Sequence, residues 1–534
     1  MANFDYDLTG DINLKANVGH NIQDNSSSQT QVGGENLQIE GWYNIRNVLQ
    51  PDLFSALDNG KTQRRSYAWF ANLDLSYRDY LFVNATFRYE KSSALAVNPV
   101  DSNGNQLPYQ NKGYAYYSFG GSFIPTKAFA GLKGDVLNYA KISASYSKVG
   151  NAGTVPTYGL DRIGQFPTGY PFGGLSSYLP TTSYYSPDVE PEFYNSKEAT
   201  LQLGFFKDRI TFEGSVFRND TQNLITAVTT SSASGITSVL NNIGDSRNQG
   251  FELDLGVTPF KTKDFEWKLR ASYSTYENKI LSLADDSPET ALTVYGTPSV
   301  GIYAIKGEDF PMIKGTKYQR DPNGNIIVDA NGNPLATSTL EVLGKVNPDY
   351  ILGFNTSFKF KGFTLSATAD YRTGNSFVAF SKGTMGFAGN LEKTADFDRS
   401  QGYVVPNSVQ LVNGQYVPNT TAVGNDPTYL GTNTYFAFGN FQTIGEEHVI
   451  DGTALKVREI ALSYDFPKSI LKNTFVNSLT FGVYARNPFF IYAKDNRNFA
   501  DPETASTTGN AAGIALTGQY PSIRSYGFNL NVTF

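Results

Sequence analysis

The chain has 534 residues, with 43 Lys and Arg against 49 Asp and Glu, two His, no Cys and a net charge of −6. That balance excludes a nucleic-acid partner, which requires basic surface, and the lack of thiols excludes disulfide stapling and thiolate metal sites. Aromatic residues make up 14 % (38 Phe, 34 Tyr), yet no stretch approaches the ~18 consecutive apolar residues of a transmembrane helix; a membrane β-barrel stays open, because its polar face dilutes the average hydropathy.

The opening Met1-Ala-Asn-Phe-Asp-Tyr6 has neither a basic nor an apolar leader region, so no secretory signal is read there. If the protein is exported, Met1 is not its natural start, and the chain is expected to be a piece of something longer. The first strand is expected at Tyr6–Gly19, where Ile12, Leu14, Ala16 and Val18 alternate with Asn13, Lys15 and Asn17. A polar stretch, Asp24–Gly34, and a loop through Trp42, Pro51 and Gly60 follow. Further strands are expected at Ser66–Tyr77, Tyr80–Glu90, Gly113–Ile124, Asn138–Val149, Ser196–Phe206, Arg209–Asn219 and Arg247–Pro259. The series continues with Phe265–Asn278, Asp349–Lys361, Phe363–Asn375, Thr453–Phe466, Asn477–Pro488 and Ile523–Phe534. That makes about fourteen, each near or slightly above the ~9–11 residues of a tilted membrane strand.

Side chains alternate across a strand with period two. In the last strand Tyr526, Phe528, Leu530, Val532 and Phe534 share one face, and Gly527, Asn529, Asn531 and Thr533 the other. Trp267, Leu269, Ala271 and Tyr273 likewise oppose Lys268, Arg270, Ser272 and Ser274. Phe251, Leu253 and Leu255 oppose Glu252 and Asp254, while Leu365, Ala367, Ala369 and Tyr371 oppose Ser366, Asp370 and Arg372. One strand breaks step: Leu455 and Val457 have a parity that Ile460, Leu462 and Tyr464 lack, so a β-bulge is expected near Arg458-Glu459.

The connections alternate in length. Short ones are Arg78-Asp79, Pro125–Leu137, Lys207-Asp208, Phe260–Asp264, Lys361-Gly362 and Pro467–Val476. Long ones are His20–Arg65, Lys91–Lys112, Gly150–Asn195, Asp220–Ser246, Lys279–Pro348, Ser376–Gly452 and Phe489–Ser522. Bacterial barrels keep short turns on the periplasmic side and long loops outside, whereas structureless connections this long are uncommon in compact soluble domains.

Asp321-Pro-Asn-Gly-Asn325 and Asp329-Ala-Asn-Gly-Asn333 look like calcium loops, but Ile326 and Gly332 stand where an EF-hand needs Gly and Glu. They read instead as Asn-Gly turns of a small hairpin around Ile326-Ile327-Val328. No nucleotide-binding, zinc or hydrolase motif occurs, no cofactor is implied, and no enzyme is read. His20 and His448 are read as solvent or loop residues rather than ligands. Aromatics crowd two long loops: Tyr158, Tyr170, Phe172, Tyr178, Tyr184 and Tyr185 in one, Tyr403, Tyr416, Tyr429, Tyr435, Phe436 and Phe438 in the other. They can stack on sugars or peptide side chains, or simply pack the loops.

Several stretches, in order, resemble SusC-like (SusC/RagA family) TonB-dependent transporters, the glycan and peptide importers of the Bacteroidota outer membrane. Tyr67–Tyr77 followed by Tyr80–Ser93 is similar to the family's early-barrel hairpin, with Glu90-Lys91 in place of its Asp-Gly. Ile142–Asn151, Asp208-Arg-Ile, Thr221–Ile225, Asn248–Glu252, Leu455–Pro467, Arg486–Phe490 and Asp501-Pro-Glu503 follow in the family's order. The resemblance implies an all-β transmembrane antiparallel barrel, with about 14 strands here of a 22-strand whole, long extracellular loops and short periplasmic turns. It implies that residues 1–534 are the C-terminal part of that barrel, with the plug and first strands not in the chain. The implied partners are a SusD-like surface lipoprotein lid, the TonB complex acting through the plug, the upstream strands and outer-membrane lipid. Glu252, Asp254, Lys268, Arg270, Asp370, Arg372, Lys456, Arg458 and Arg486 would face the substrate path. A plugless passive porin of about fourteen strands is the alternative, since an even count with both ends periplasmic permits closure.

Overall fold

The computed structural model describes residues 1–31, 34–51, 58–97, 105, 107–108, 110–161, 164–165, 179–186, 188–283, 287–398, 402–423, 435–436, 439–497, 499–504, 509–520 and 522–534. Among them are fifteen strands of eight residues or more: Ala2–Thr9 (β1), Ile12–Gln31 (β2), Asp58–Tyr77 (β3), Leu81–Ser92 (β4), Tyr114–Phe123 (β5), Leu137–Asn151 (β6), Glu192–Phe205 (β7) and Ile210–Gln222 (β8). The rest are Gly244–Lys261 (β9), Phe265–Leu283 (β10), Tyr350–Phe360 (β11), Phe363–Thr373 (β12), Ala454–Asp465 (β13), Ser478–Tyr492 (β14) and Ser525–Thr533 (β15). The chain divides into two compact units, one of Met1–Phe123, Ser143–Lys197 and Asn219–Asp245, the other of Ile124–Ile142, Glu198–Arg218 and Ser246–Phe534.

In the first unit β1 to β5 pair antiparallel in chain order. The expected single strand Tyr6–Gly19 is a hairpin instead, with Tyr6 opposite Leu14. Its turn is held by the Thr9 hydroxyl, which accepts from the backbone N–H of Asp11 and Ile12. The polar stretch from Asp24 to Gln31 is strand rather than loop, paired residue for residue with Asp58–Arg65. Backbone pairing needs no apolar side chain, so an Asn/Ser/Gln run extends a ladder already in register.

The apolar rows of this unit run straight across the strands: Ala16, Leu73, Ala85 and Phe119 in one, Val18, Ala71, Phe87 and Tyr117 in the next. They are bounded by aromatic residues. At the turn end Tyr77, Tyr80 and Phe123 pack edge to face, 5.3 and 6.1 Å apart. At the other end are Tyr67 and Trp69, the latter 57 % exposed and packed 4.5 Å from His20. His20 is thus a strand residue, not a loop residue. Ten residues separate Tyr67 from Tyr77, about 33 Å along the strand and about 25 Å in height at the ~40° tilt of membrane strands.

In the second unit β10 to β15 are likewise antiparallel and consecutive. Trp267, Phe358, Leu365, Leu462, Val483 and Phe528 form one apolar row across all six, and it stays accessible. A soluble sheet would cover such a face, because contiguous exposed apolar area beyond a few hundred Å² is rare in soluble monomers. The bulge lies where the parity slip places it: Glu459 pairs with Thr368 and Arg486, Val457 with Ala369 and Phe489, and Arg458 is the extra residue.

Three of the short turns carry successive left-handed residues: Arg78 and Asp79 (φ 48° and 55°), Lys207 and Asp208 (59° and 61°), and Lys361 and Gly362 (45° and 91°). Such turns match the twist of a hairpin. A Cβ on Gly362 would lie 2.8 Å from the Asp465 carbonyl oxygen. Gly362→Ala is therefore expected to lower unfolding free energy by about 1–2 kcal/mol, as read from denaturant midpoints in lipid vesicles.

Among the described residues the buried clusters lie mainly in the connections rather than beneath the strands. In the second unit Tyr403, Tyr435, Phe436 and Phe441 form a buried cluster with Val328, Leu391, Val405 and Val423. Val300, Ile302, Ile313, Val378 and Ile514 form another. The connection expected as Lys279–Pro348 carries a four-stranded sheet of its own, Glu289–Tyr295, Val300–Ile305, Met312–Gly315 and Glu341–Lys345. The two Asn-Gly turns are as expected, with Asp321 and Asp329 each accepting from backbone N–H groups two and four residues on. His448, expected in solvent or a loop, is in a connection but wholly buried.

Candidate substrate-facing site

The bulge at Arg458 aims its side chain at the polar face, where β12 already presents Asp370 and Arg372 and β13 presents Lys456. The connection between β14 and β15 brings two carboxylates to the same place. Asp501-Pro502-Glu503-Thr504 closes a turn in which Thr504 N–H donates to the Asp501 carbonyl at 2.9 Å, with Pro in the position that pre-sets the turn. Glu503 N–H donates to the Asp501 carboxylate at 3.0 Å.

Lys456 Nζ lies 2.5 Å from Asp501 Oδ1 and 2.6 Å from Glu503 Oε2. Arg458 donates to Glu503 at 2.8 Å and to Asp370 Oδ2 at 2.8 Å. Arg372 pairs with Glu503 and lies 3.4 Å from Asp370. Ser522 donates its hydroxyl to Asp501. Three cations meet three carboxylates, so the cluster is internally neutral; it ties the last long connection to the strand wall rather than presenting a free charge.

Burial works against the charge on Glu503, but hydrogen bonds from Arg458 and Lys456 outweigh it and hold the carboxyl at about 2. Asp501 is also below its usual value: burial opposes, and Lys456 and Ser522 prevail. A carboxylate whose pKa falls on folding contributes stability that is full above its unfolded value, near 4.5 for Glu503, and lost as pH falls through the folded value. Anchoring of residues 493–524 should therefore be complete at neutral pH and weaken progressively from about pH 4.5 towards pH 2. Hydrogen exchange of that segment at pH 3 and pH 7, corrected for intrinsic rates, measures it.

Of the nine expected path residues, the structure gathers Asp370, Arg372, Lys456 and Arg458 into this cluster. The other five stand apart in local pairs: Arg270 with Asp254 at 2.7 Å, Lys268 with Glu266 at 2.6 Å, Arg486 with Glu459 at 3.0 Å, and Ser274 donating to Glu252 at 3.3 Å. Of the aromatic candidates, Tyr184 and Tyr185 are half-buried in a short strand parallel to Ser238–Leu240. Tyr158 is exposed, its hydroxyl accepting from Gln63 N–H at 3.2 Å. Tyr170, Phe172 and Tyr178 lie outside the described residues, as do Tyr429 and Phe438. Tyr403, Tyr435 and Phe436 pack the connections, while Tyr416 is exposed.

Sequence reading assigned no role to three features. Asp501 and Glu503 stood only among the stretches that carry the resemblance, and nothing in their spacing linked them to β12 and β13. Glu447, mostly covered among the connections, takes ion pairs from Lys382 at 3.0 Å and Lys393 at 2.9 Å and a hydrogen bond from Tyr318 at 3.2 Å. Burial opposes its charge, and the two lysines bring it to about 2. Next to it, burial depresses His448 to about 4, so the imidazole is neutral at pH 7 and its Nε2–H donates to the Phe441 carbonyl at 2.9 Å. Third, beside Asp501 a cavity of about 380 Å³ opens towards Phe490, Tyr492 and Arg524. Phe489 and Ile491 are exposed on the opposite, apolar face, so alternation puts Phe490 and Tyr492 on the polar face.

A family model described as TonB dependent receptor-like, beta-barrel, matches residues 2–371. TonB-dependent receptor P3 of Formosa agariphila is 22 % identical over 94 % of this chain and 51 % of its own length. TonB-dependent receptor SusC of Bacteroides thetaiotaomicron is 26 % identical over 37 % of this chain and 21 % of its own. A solved structure of the RagAB peptide transporter superposes on the whole chain with a TM-score of 0.72 at 17 % identity, covering 54 % of that protein's chain. The chain thus spans about half the length of P3. These relatives and neighbours are receptors and transporters, not enzymes.

Proposed function

Because the chain belongs to the TonB-dependent receptor-like β-barrel family, we propose that it supplies the C-terminal share of a SusC-like outer-membrane importer, forming barrel wall and extracellular loops. The observation that carries this reading is the pair of faces on each long strand. One is apolar, accessible and bounded by aromatics, as lipid requires; the other is polar, with such charges as it carries paired, as a wet path requires. The cores folded into the long connections support loops that hold a substrate and seat a lid. In this reading the upstream strands close the barrel, a plug draws energy from TonB, a SusD-like lipoprotein covers the mouth, and the cell is of the Bacteroidota type. Glycans, peptides or similar nutrients pass inward, and no bond is made or broken.

The test is copurification from the native membrane, with uptake of labelled oligosaccharides and peptides by cells with and without the gene. A SusD-like lipoprotein in the complex and gene-dependent, energy-dependent uptake are the expected results. Steady open-pore conductance of the purified protein in planar bilayers would replace the importer by the passive porin.

A further inference from the structure

The cavity beside Asp501 carries more than its place on the polar face. Its main lining is apolar, from Phe490, Phe499, Ala500, Ala515 and Leu516. Most of its polar atoms are already engaged. Asp501 is taken by Lys456 and Ser522, the Ser381 hydroxyl donates to the Phe499 carbonyl, and Gln519 Oε1 accepts from Leu516 N–H at 2.9 Å.

Arg524 differs from every other cation around it. Its guanidinium carbon lies 4.8 Å from the Phe490 ring centroid, and among the described residues it has no carboxylate partner. Phe490 in turn stacks on Tyr492 at 4.7 Å with the planes 18° apart, and Lys456 Nζ lies 5.7 Å from the Tyr492 centroid. The guanidinium is therefore held by a ring face, which attracts the cation without occupying its in-plane N–H donors.

We propose that this cavity is a subsite for the C-terminal residue of a peptide with an apolar side chain, its carboxylate held by Arg524. A guanidinium edge matches a carboxylate with two parallel hydrogen bonds, and the apolar walls take the side chain. At about 380 Å³ the cavity sits at the small end of ligand pockets, which run from ~300 to ~1,000 Å³, and it holds one residue. Its open donors are the Arg524 N–H groups and the Gln519 side-chain N–H₂; of the hydroxyls that can also accept, those of Ser381 and Tyr492 are already engaged with the Phe499 carbonyl and Asp501, and that of Thr504 stands beside them. That suits a carboxylate and a carbonyl, which only accept. It disfavours an acidic sugar, whose ring hydroxyls must also donate and would be buried unpaired.

The inference deepens the importer reading and relies on it for delivery of the peptide to this face. The test is calorimetry on the full-length transporter in detergent with Gly-Gly-Leu, the same tripeptide as its C-terminal amide, and glucuronate. The expected result is saturable binding of the acid, at least tenfold weaker binding of the amide, and no saturation by glucuronate in the same range. Arg524→Ala removes the preference for the acid, and Arg524→Lys restores part of it. Absence of saturable acid binding, equal binding of acid and amide, glucuronate binding as tight as the tripeptide, or an unchanged preference in Arg524→Ala each overturns the subsite. Gene-dependent uptake by cells is scored separately, so a failed subsite with intact uptake leaves the importer reading standing.

Discussion

Lys456→Ala is expected to release the connection between β14 and β15 from the strand wall. The Lys456 side chain is only 4 % exposed and that of Asp501 0 %, so truncation leaves one carboxylate buried with its charge uncompensated and removes one of the cations on Glu503. Breaking a buried pair from one side costs about 3–5 kcal/mol, far more than the pair's net contribution over an apolar replacement. Most of that loss should appear locally, as faster hydrogen exchange and new proteolytic cuts within residues 493–524, with β13 and β14 still protected. Lys456→Met combined with Asp501→Asn should recover most of the protection, since the asparagine can keep the turn and the Ser522 contact without a charge to neutralise. Equal deprotection in the single and double variants would show that the ion pair does not anchor the connection.

Phe354→Arg is expected to destabilise the protein in lipid by about 2–4 kcal/mol, the penalty for a cation near the bilayer midplane on the lipid side of a barrel strand. Phe354 is 47 % exposed, lies midway along β11, and is flanked in register by Ala271 and Ala369, so no acidic side chain is there to receive the charge. Asn355→Arg, one residue on, points to the polar face beside Thr368 and should cost less than about 1 kcal/mol. Denaturant unfolding in vesicles reads both, and the contrast between neighbours is the informative quantity. Similar penalties at both positions would refute the assignment of the two faces to lipid and to water.

The cluster at Lys456 shows how far sequence reasoning carries. That a bulge falls near Arg458-Glu459 followed from parity alone, because a strand with one face apolar cannot shift by one residue without exposing the wrong side chains. That Asp501-Pro502-Glu503 has its place in the family's order of stretches follows from the residues themselves, although the turn it makes was not read there. That the turn lands on Lys456, Arg458 and Arg372 does not, since the contact between Arg372 and Glu503 spans 131 residues and no periodicity relates them. The hairpin at Thr9 and the polar extension of β2 were missed for different reasons. The residues before Thr9 do alternate, with Phe4, Tyr6 and Leu8 on one face, but so few precede the turn that they merge with the strand after it, while the run from Asp24 to Gln31 has no apolar pattern and is held by backbone pairing and the Arg65–Asp24 ion pair.

By itself the sequence determined most of the strands, their faces, most of the short turns and the place of the bulge, because each follows from local alternation and turn chemistry. The resemblance to TonB-dependent transporters was also legible there, in the order of short stretches. Tertiary structure alone decided which charges pair, which aromatics pack the connections and which stay exposed, and that Arg524 rests on Phe490 without an acid among the described residues. Those outcomes depend on where long connections come to rest, which is set by the burial of apolar side chains far apart in the chain and by the mutual neutralisation of charges that burial brings together.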